Sequence, residues 1–165
     1  MKIRIVGGPG SGKSYLAKKL AAKYSVPLLD LDEIKWASKD SYTVNRPPEE
    51  KISLFREFFD NNESWVIEGA SANSWNWVSF QEADYVVVLK QTLWREYSRV
   101  LKRSLKRRLG LVDERKENIS RILGLYRWAK EFRNMRLPEI IADMDKQGID
   151  YKVCSSSKDV WEHLP

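Results

Sequence analysis

The 165 residues suffice for one domain with a hydrophobic core and are too few for two of ordinary size. An apolar fraction of 42% and a charged fraction of 32%, with seven Trp and seven Tyr against eight Gly, exclude a disordered or fibrous chain. The net charge of +6 is concentrated: residues 90–136 hold fifteen Lys and Arg against five Asp and Glu, so one arm attracts phosphates, whether of nucleotides or of nucleic acid.

Residues 2–6 form a β-branched run that is interrupted by Arg4 and ends in glycines. It reads as a short strand and not as the apolar stretch of a secretory leader; no segment reaches membrane-spanning length, and a cytoplasmic protein without a membrane partner is expected. The loop Gly7-Gly8-Pro9-Gly10-Ser11-Gly12-Lys13-Ser14 satisfies the pattern Gly-x-x-x-x-Gly-Lys-Ser, and helical spacing follows through Leu16, Leu20 and Tyr24. Strand, glycine loop and helix together aim backbone N–H groups and the positive end of a helix at phosphates. Lys13 is placed to follow the β and γ phosphates and the Ser14 hydroxyl to coordinate Mg²⁺, so Gly7, Gly8, Gly10, Ser11, Gly12, Lys13, Ser14 and the adjoining Tyr15 form the expected nucleotide site, with ATP and Mg²⁺ as cofactors.

Residues 27–32 read as a second strand whose end delivers Asp30 and Asp32, two residues apart, to one face. Asp30 is read as the Mg²⁺ carboxylate and Asp32 as the group that orients or deprotonates an acceptor hydroxyl; the bland alternative is a strand end with a helix N-cap at Asp32. Pro47 and Pro48 open a helix of about three turns, carrying Ile52, Phe55 and Phe59. Residues 64–69 form a third strand closed by Gly69, where Glu68 either stands behind the metal or faces the acceptor and Gly69 lets the acceptor approach the backbone, with a plain strand-end turn as the alternative; residues 85–89 form a strand buried on both faces. Trp36, Trp75 and Trp77 fall in segments that flank an acceptor pocket, with core packing as the alternative.

The next helix has Leu93, Trp94, Tyr97, Val100, Leu101, Ser104, Leu105 and Leu109 on one face and is expected to bury them. Arg99, Arg103 and Arg107, four apart, share the other face and are expected to reach a triphosphate, with a solvated amphipathic helix as the alternative; Lys102, Lys106 and Arg108 widen it. A second helix is expected from near Asp113 through Phe132 and a third after Pro138. Residues 149–154 alternate as a last strand ending in the lone Cys154, a core residue by its position, and Ser157 is expected to N-cap a terminal helix bearing a surface His163. Strands alternating with helices specify an α/β fold with a parallel sheet, its ligands at the carboxyl ends of the strands.

Residues 2–14, the phrase Leu29-Asp30-Leu31-Asp32-Glu33-Ile34-Lys35-Trp36, the strand ending Glu68-Gly69 and the segment 83–103 resemble the P-loop kinases related to adenylate and shikimate kinases. Among these, the chain resembles the DNA topology modulation (FlaR-type) proteins. The resemblance implies a single P-loop kinase-like domain over residues 1–165, with a five-stranded parallel sheet of order 2-3-1-4-5. It implies an acceptor-binding insertion near 33–63, a lid near 103–118, Arg99 against adenine or phosphates, and Ser155, Ser156 and Ser157 lining the adenine pocket. Family members often carry Gly-Asn-Tyr after the third strand, where this chain has Gly69-Ala70-Ser71.

Two functions follow as expectations. The first is an ATP-dependent phosphotransferase acting on a nucleotide, nucleoside or other hydroxylated small molecule, with Lys13, Asp32, Arg99 and Arg103 catalytic and Asp32, Trp36, Glu68 and Gly69 on the acceptor. The second is a nucleic-acid-associated P-loop ATPase or regulator gripping backbone phosphates through the basic helix at 99–108. The chain shows no helix-turn-helix or aromatic RNA-binding signature, which favours the first.

Overall fold

The computed structural model describes residues 1–37, 44–109, 111, 119–162 and 164. Five strands, β1 (Lys2–Gly7), β2 (Leu28–Asp30), β3 (Trp65–Glu68), β4 (Tyr85–Leu89) and β5 (Lys152–Cys154), make one parallel sheet in the order β2-β3-β1-β4-β5. This is the order that the resemblance implies. Alternation along β1 sends Ile3 and Ile5 to a core with Leu16, Leu20, Val87 and Leu89, while Val6 joins Val86, Val88, Phe132, Ile140 and Met144 on the opposite face. A third cluster around Phe55, Trp65 and Ile67 closes the β2 edge.

The helices are α1 (Lys13–Tyr24), α2 (Leu31–Lys35), α3 (Pro48–Asp60), α4 (Val78–Gln81), α5 (Leu93–Arg108), α6 (Ile119–Glu131), α7 (Leu137–Lys146) and α8 (Ser157–Trp161). Four expectations need correction. The strand over 27–32 stops at Asp30, because the Asp30 carboxylate accepts from the Asp32 N–H at 2.9 Å and so caps α2. Asp30 and Asp32 are thereby parted, and the N-cap is Asp30. Ser156, not Ser157, caps α8, since Asp159 three residues on completes a capping box with it. No break separates α6 from α7: residues Phe132–Arg136 form a π turn in which the Leu137 N–H reaches back to the Phe132 carbonyl, and Pro138 follows directly after it at the start of α7.

The fourth correction concerns α5. Trp94 is 79% exposed, and Leu101, Leu105 and Leu109 are each more than half exposed, whereas Glu96, Val100 and Ser104 are buried. The expected stripe is therefore split: Val100 and Ser104, with Leu93 and Tyr97 half-buried, face inward as expected, and Trp94, Leu101, Leu105 and Leu109 face outward. The helix is turned because its first turn lies against the glycine loop, where Gly10 lets the backbone of Glu96 come close. Within the expected lid, residues 110 and 112–118 lie outside the described residues; so do 38–43 of the acceptor insertion, the helix start near Asp113, and His163.

Candidate functional site

The glycine loop leaves the carboxyl end of β1 and runs into α1, with Gly10 and Gly12 at φ +77° and +93°. These left-handed conformations turn successive N–H groups toward one concavity, the arrangement that binds phosphate. Lys13 opens α1 half-buried, and Ser14 and Tyr15 are exposed in its first turn, the Tyr15 ring lying under the Lys19 ammonium at 4.8 Å.

Two elements hold the loop from behind. Arg99 of α5 donates to the main-chain carbonyls of Ser11 at 2.9 Å and Gly10 at 3.3 Å. Its guanidinium therefore fastens the loop's backbone, which leaves the N–H groups on the other side for a ligand. The ring of Phe132, at the start of the π turn, packs on Gly8, and Arg133 beside it donates to the main-chain carbonyl of Gln91. Wide turns of this kind often occur at functional sites, and here the turn brings Phe132, Arg133 and Arg136 to the loop and its cavity.

Asp30 and Glu68 stand side by side at the carboxyl ends of β2 and β3, paired in register. Burial, reinforced by Glu68, pushes the Asp30 carboxyl up to about 7, and the Asp32 N–H and Lys13 pull it back. The Glu68 side chain is 1% exposed, and its Oε2 has no hydrogen-bond partner. A divalent cation fits this donor set, since it would relieve both the pair's repulsion and the orphaned oxygen. Ser14 and Asp30 would hold the ion, with Glu68 behind them.

Arg4, which sequence reasoning treats only as an interruption of β1, is fully buried. It donates to the carbonyls of Ile5 at 2.7 Å, Ile67 at 3.3 Å, Gly69 at 3.4 Å and Ser71 at 2.6 Å, and its guanidinium lies 4.6 Å from the Phe80 ring centre. Burial lowers its pKa to about 9, partly offset by Glu68, so it stays charged at neutral pH. Arg4 thus pins the chain leaving β3, which forms one wall of the cavity. A lone charge on a core-facing strand position was the available signal.

That cavity, of about 460 Å³, opens beside Pro9, Gly10 and Lys13. Asp32, Lys35 and Trp36 line it from α2, Ala70 to Asn73 from the β3 exit, and Arg103 and Arg107 from α5. Trp77, Trp128 and Arg136 complete much of the rest. Of the residues expected from sequence, Lys13, Asp32, Trp36 and Arg103 are brought together here. Glu68 and Gly69 lie behind the wall, Gly69 at φ +154° against Leu31, and Trp75 packs edge-on against Phe55 at 5.5 Å. Ser155 and Ser156 bond to Asp159, holding its carboxyl down at about 2, beside β5. Trp128 and Glu96 were missed by sequence reasoning, the first inside an ordinary helical pattern, the second as the one acid in α5.

No protein-family model matches the chain. Over 71 residues it is 35% identical to a tRNA dimethylallyltransferase of Mycoplasmoides gallisepticum; the match takes in 43% of this chain and 23% of that protein, so the chain spans under a quarter of that relative's length. Among solved structures it resembles shikimate kinase from Acinetobacter baumannii in complex with shikimate, with a TM-score of 0.61 and 17% identity, over 98% of this chain and 89% of that one. At that identity the likeness shows the fold, a P-loop kinase fold with the five-stranded order seen here. Membership of the DNA topology modulation family is not shown by either match.

Proposed function

We propose that this protein is an ATP-dependent phosphotransferase that moves the γ-phosphoryl group to a hydroxyl of a small acceptor, such as a nucleotide, nucleoside or other hydroxylated metabolite. The observation that carries the reading is that Lys13 and Asp32 line one cavity, so the cation for the transferred phosphate and a carboxylate for the acceptor hydroxyl share a chamber of about 460 Å³. That volume falls in the range of small-molecule sites.

In this reading the loop N–H groups and Lys13 bind the phosphates, with Tyr15 and Ser156 on the nucleotide side. Ser14 and Asp30 would hold Mg²⁺, which would supply positive charge to the phosphates. Asp32 orients the acceptor hydroxyl and accepts its proton as the acceptor O–P bond forms and the bond from the γ-phosphorus to the β,γ-bridging oxygen breaks, ADP being the leaving group. Arg103, with Arg107, stabilises the charge on the transferring group, while Trp36 and the chain after Glu68 and Gly69 shape the acceptor's seat. Arg99 acts by holding the loop.

The test is a thermal-shift screen of acceptors with Mg²⁺ and a non-hydrolysable ATP analogue, on the wild type and on Lys13→Ala. A ligand at a hundred times its Kd stabilises by about 2.7 kcal/mol. A folded Lys13→Ala protein that binds nucleotide as the wild type does would sink the assignment.

A second reading, a nucleic-acid-associated P-loop protein, draws on the exposed Arg95, Lys102 and Lys106 and on the partial likeness to a tRNA-modifying enzyme. Arg103 and Arg107 line the cavity, and apolar Trp94, Leu101 and Leu105 interrupt the outer basic face, which supports the first reading. Arg103→Ala should lower nucleotide-dependent turnover and leave any duplex binding weak and steeply salt-dependent; a flattened salt slope with unchanged turnover would favour the second.

A further inference from the structure

Glu96 is the one acid of α5, a helix that carries seven Lys and Arg. It is 3% exposed, its Oε2 has no hydrogen-bond partner, and its main-chain carbonyl lies so near Gly10 that a Cβ there would come within 2.4 Å. An ionised carboxylate buried in this way is costly unless cations face it or a proton neutralises it. Three cations do face it: Lys13 from the glycine loop, Arg99 from the next turn of α5, and Arg133 from the π turn. Arg99 is tied to the Gly10 and Ser11 carbonyls and Arg133 to the Gln91 carbonyl. Lys13 is the one of the three that lines the cavity, and it is the one that incoming phosphates would claim.

We propose that Glu96 is a positioning residue for nucleotide binding, sharing Lys13 with the incoming phosphates and taking up a proton when a triphosphate arrives. The inference rests on the reading that the glycine loop binds a nucleoside triphosphate. Burial pushes the carboxyl up to about 7, while Arg133, Lys13 and Arg99, in that order, pull it back. A polyphosphate on Lys13 cancels the lysine's share and adds negative charge of its own, so the carboxyl's affinity for a proton rises. One proton passes from solvent to a Glu96 carboxyl oxygen, and no bond of the nucleotide is made or broken. The loop then rests on a neutral group and not on a charge that repels phosphate. By reciprocity, nucleotide binding weakens as pH rises through the neutral range.

The experiment is isothermal titration of a non-hydrolysable ATP analogue with Mg²⁺ at pH 7.5, in buffers of low and high ionisation enthalpy, for the wild type and Glu96→Gln. The analogue's own protons cancel in the difference. For a tenfold rise in the carboxyl's proton affinity, the wild type takes up about half a proton more per nucleotide than the variant, and its Kd weakens about sixfold more between pH 6.5 and 8.5. A role in packing alone would move neither quantity. Equal uptake and parallel pH profiles overturn the proposal. Should Glu96→Gln fail to fold, carboxyl-¹³C glutamate in the wild type decides the matter. The Glu96 resonance must move toward its protonated position when nucleotide is added at pH 7.5, and a resonance that stays put overturns it. Failure of any nucleotide to bind overturns this proposal together with the reading beneath it, whereas binding without Glu96-linked uptake overturns this proposal alone.

Discussion

Gly10 is where the glycine loop and α5 come closest, and replacing it separates two costs that are usually mixed. In Gly10→Ala the new Cβ would lie 2.4 Å from the main-chain oxygen of Glu96 and 2.9 Å from its Cα, at φ +77°. The left-handed conformation alone costs an alanine about 1–2 kcal/mol. Because the atoms it meets are backbone, they cannot rotate away, and shifting α5 off the loop adds a further ~1–3 kcal/mol, as overpacking does. Gly148→Ala has the same left-handed problem at φ +65° but meets nothing within 4 Å, so it should cost only about 1 kcal/mol. Gly124→Ala, inside α6 with open space around it, should stabilise by up to about 1 kcal/mol. Urea denaturation of the three variants, with nucleotide affinity measured on each, reads the ordering directly. Gly10→Ala should lose nucleotide binding as well as stability, and the other two should keep it. If Gly10→Ala is no less stable than Gly148→Ala and binds nucleotide normally, α5 does not seat the loop.

Arg4→Met strips a buried charge from four carbonyls and from Glu68, so it should cost about 3–5 kcal/mol in denaturation and speed amide exchange after β3; a loss under about 1 kcal/mol would count against Arg4 as the pin of that wall. Asp30 and Glu96 both have folded-state pKa values near 7, above those of ordinary carboxyls, so the folded protein binds more protons than the unfolded one between about pH 4 and 7. Their contribution to stability therefore falls as pH rises through that window and levels off above it. Thermal melts of wild type against Asp30→Asn/Glu96→Gln, without metal or nucleotide, should show the double variant with the flatter profile, and parallel profiles would refute the assignment. Asp32→Asn keeps the side chain's size but removes the base, so turnover should fall at least 100-fold while nucleotide affinity stays within a few-fold; collapse of nucleotide binding instead would move Asp32 to the metal.

Features that depend only on neighbours along the chain are legible before any fold is known. The glycine loop between β1 and α1 is legible because phosphate binding there needs a local pattern of glycines, a lysine and a hydroxyl. The strand at 85–89 is legible because burial on both faces demands an unbroken apolar run. The sheet order came from family resemblance, and the strand pairing bears it out. The parting of Asp30 from Asp32 was hidden, because it turns on whether the chain continues as strand or folds back to cap a helix, a choice between two locally acceptable geometries. The facing of α5 was hidden for a different reason. Periodicity identifies an apolar stripe but not how much of it meets the protein, and here α5 is rotated so that Glu96 goes in with Val100 and Ser104 while Trp94, Leu101 and Leu105 stay out. Arg4, Glu96 and Trp128 acquire their places only when β1, α5 and α6 are packed around one end of the sheet. A buried charge takes its meaning from the groups that surround it, and those groups come from distant parts of the chain.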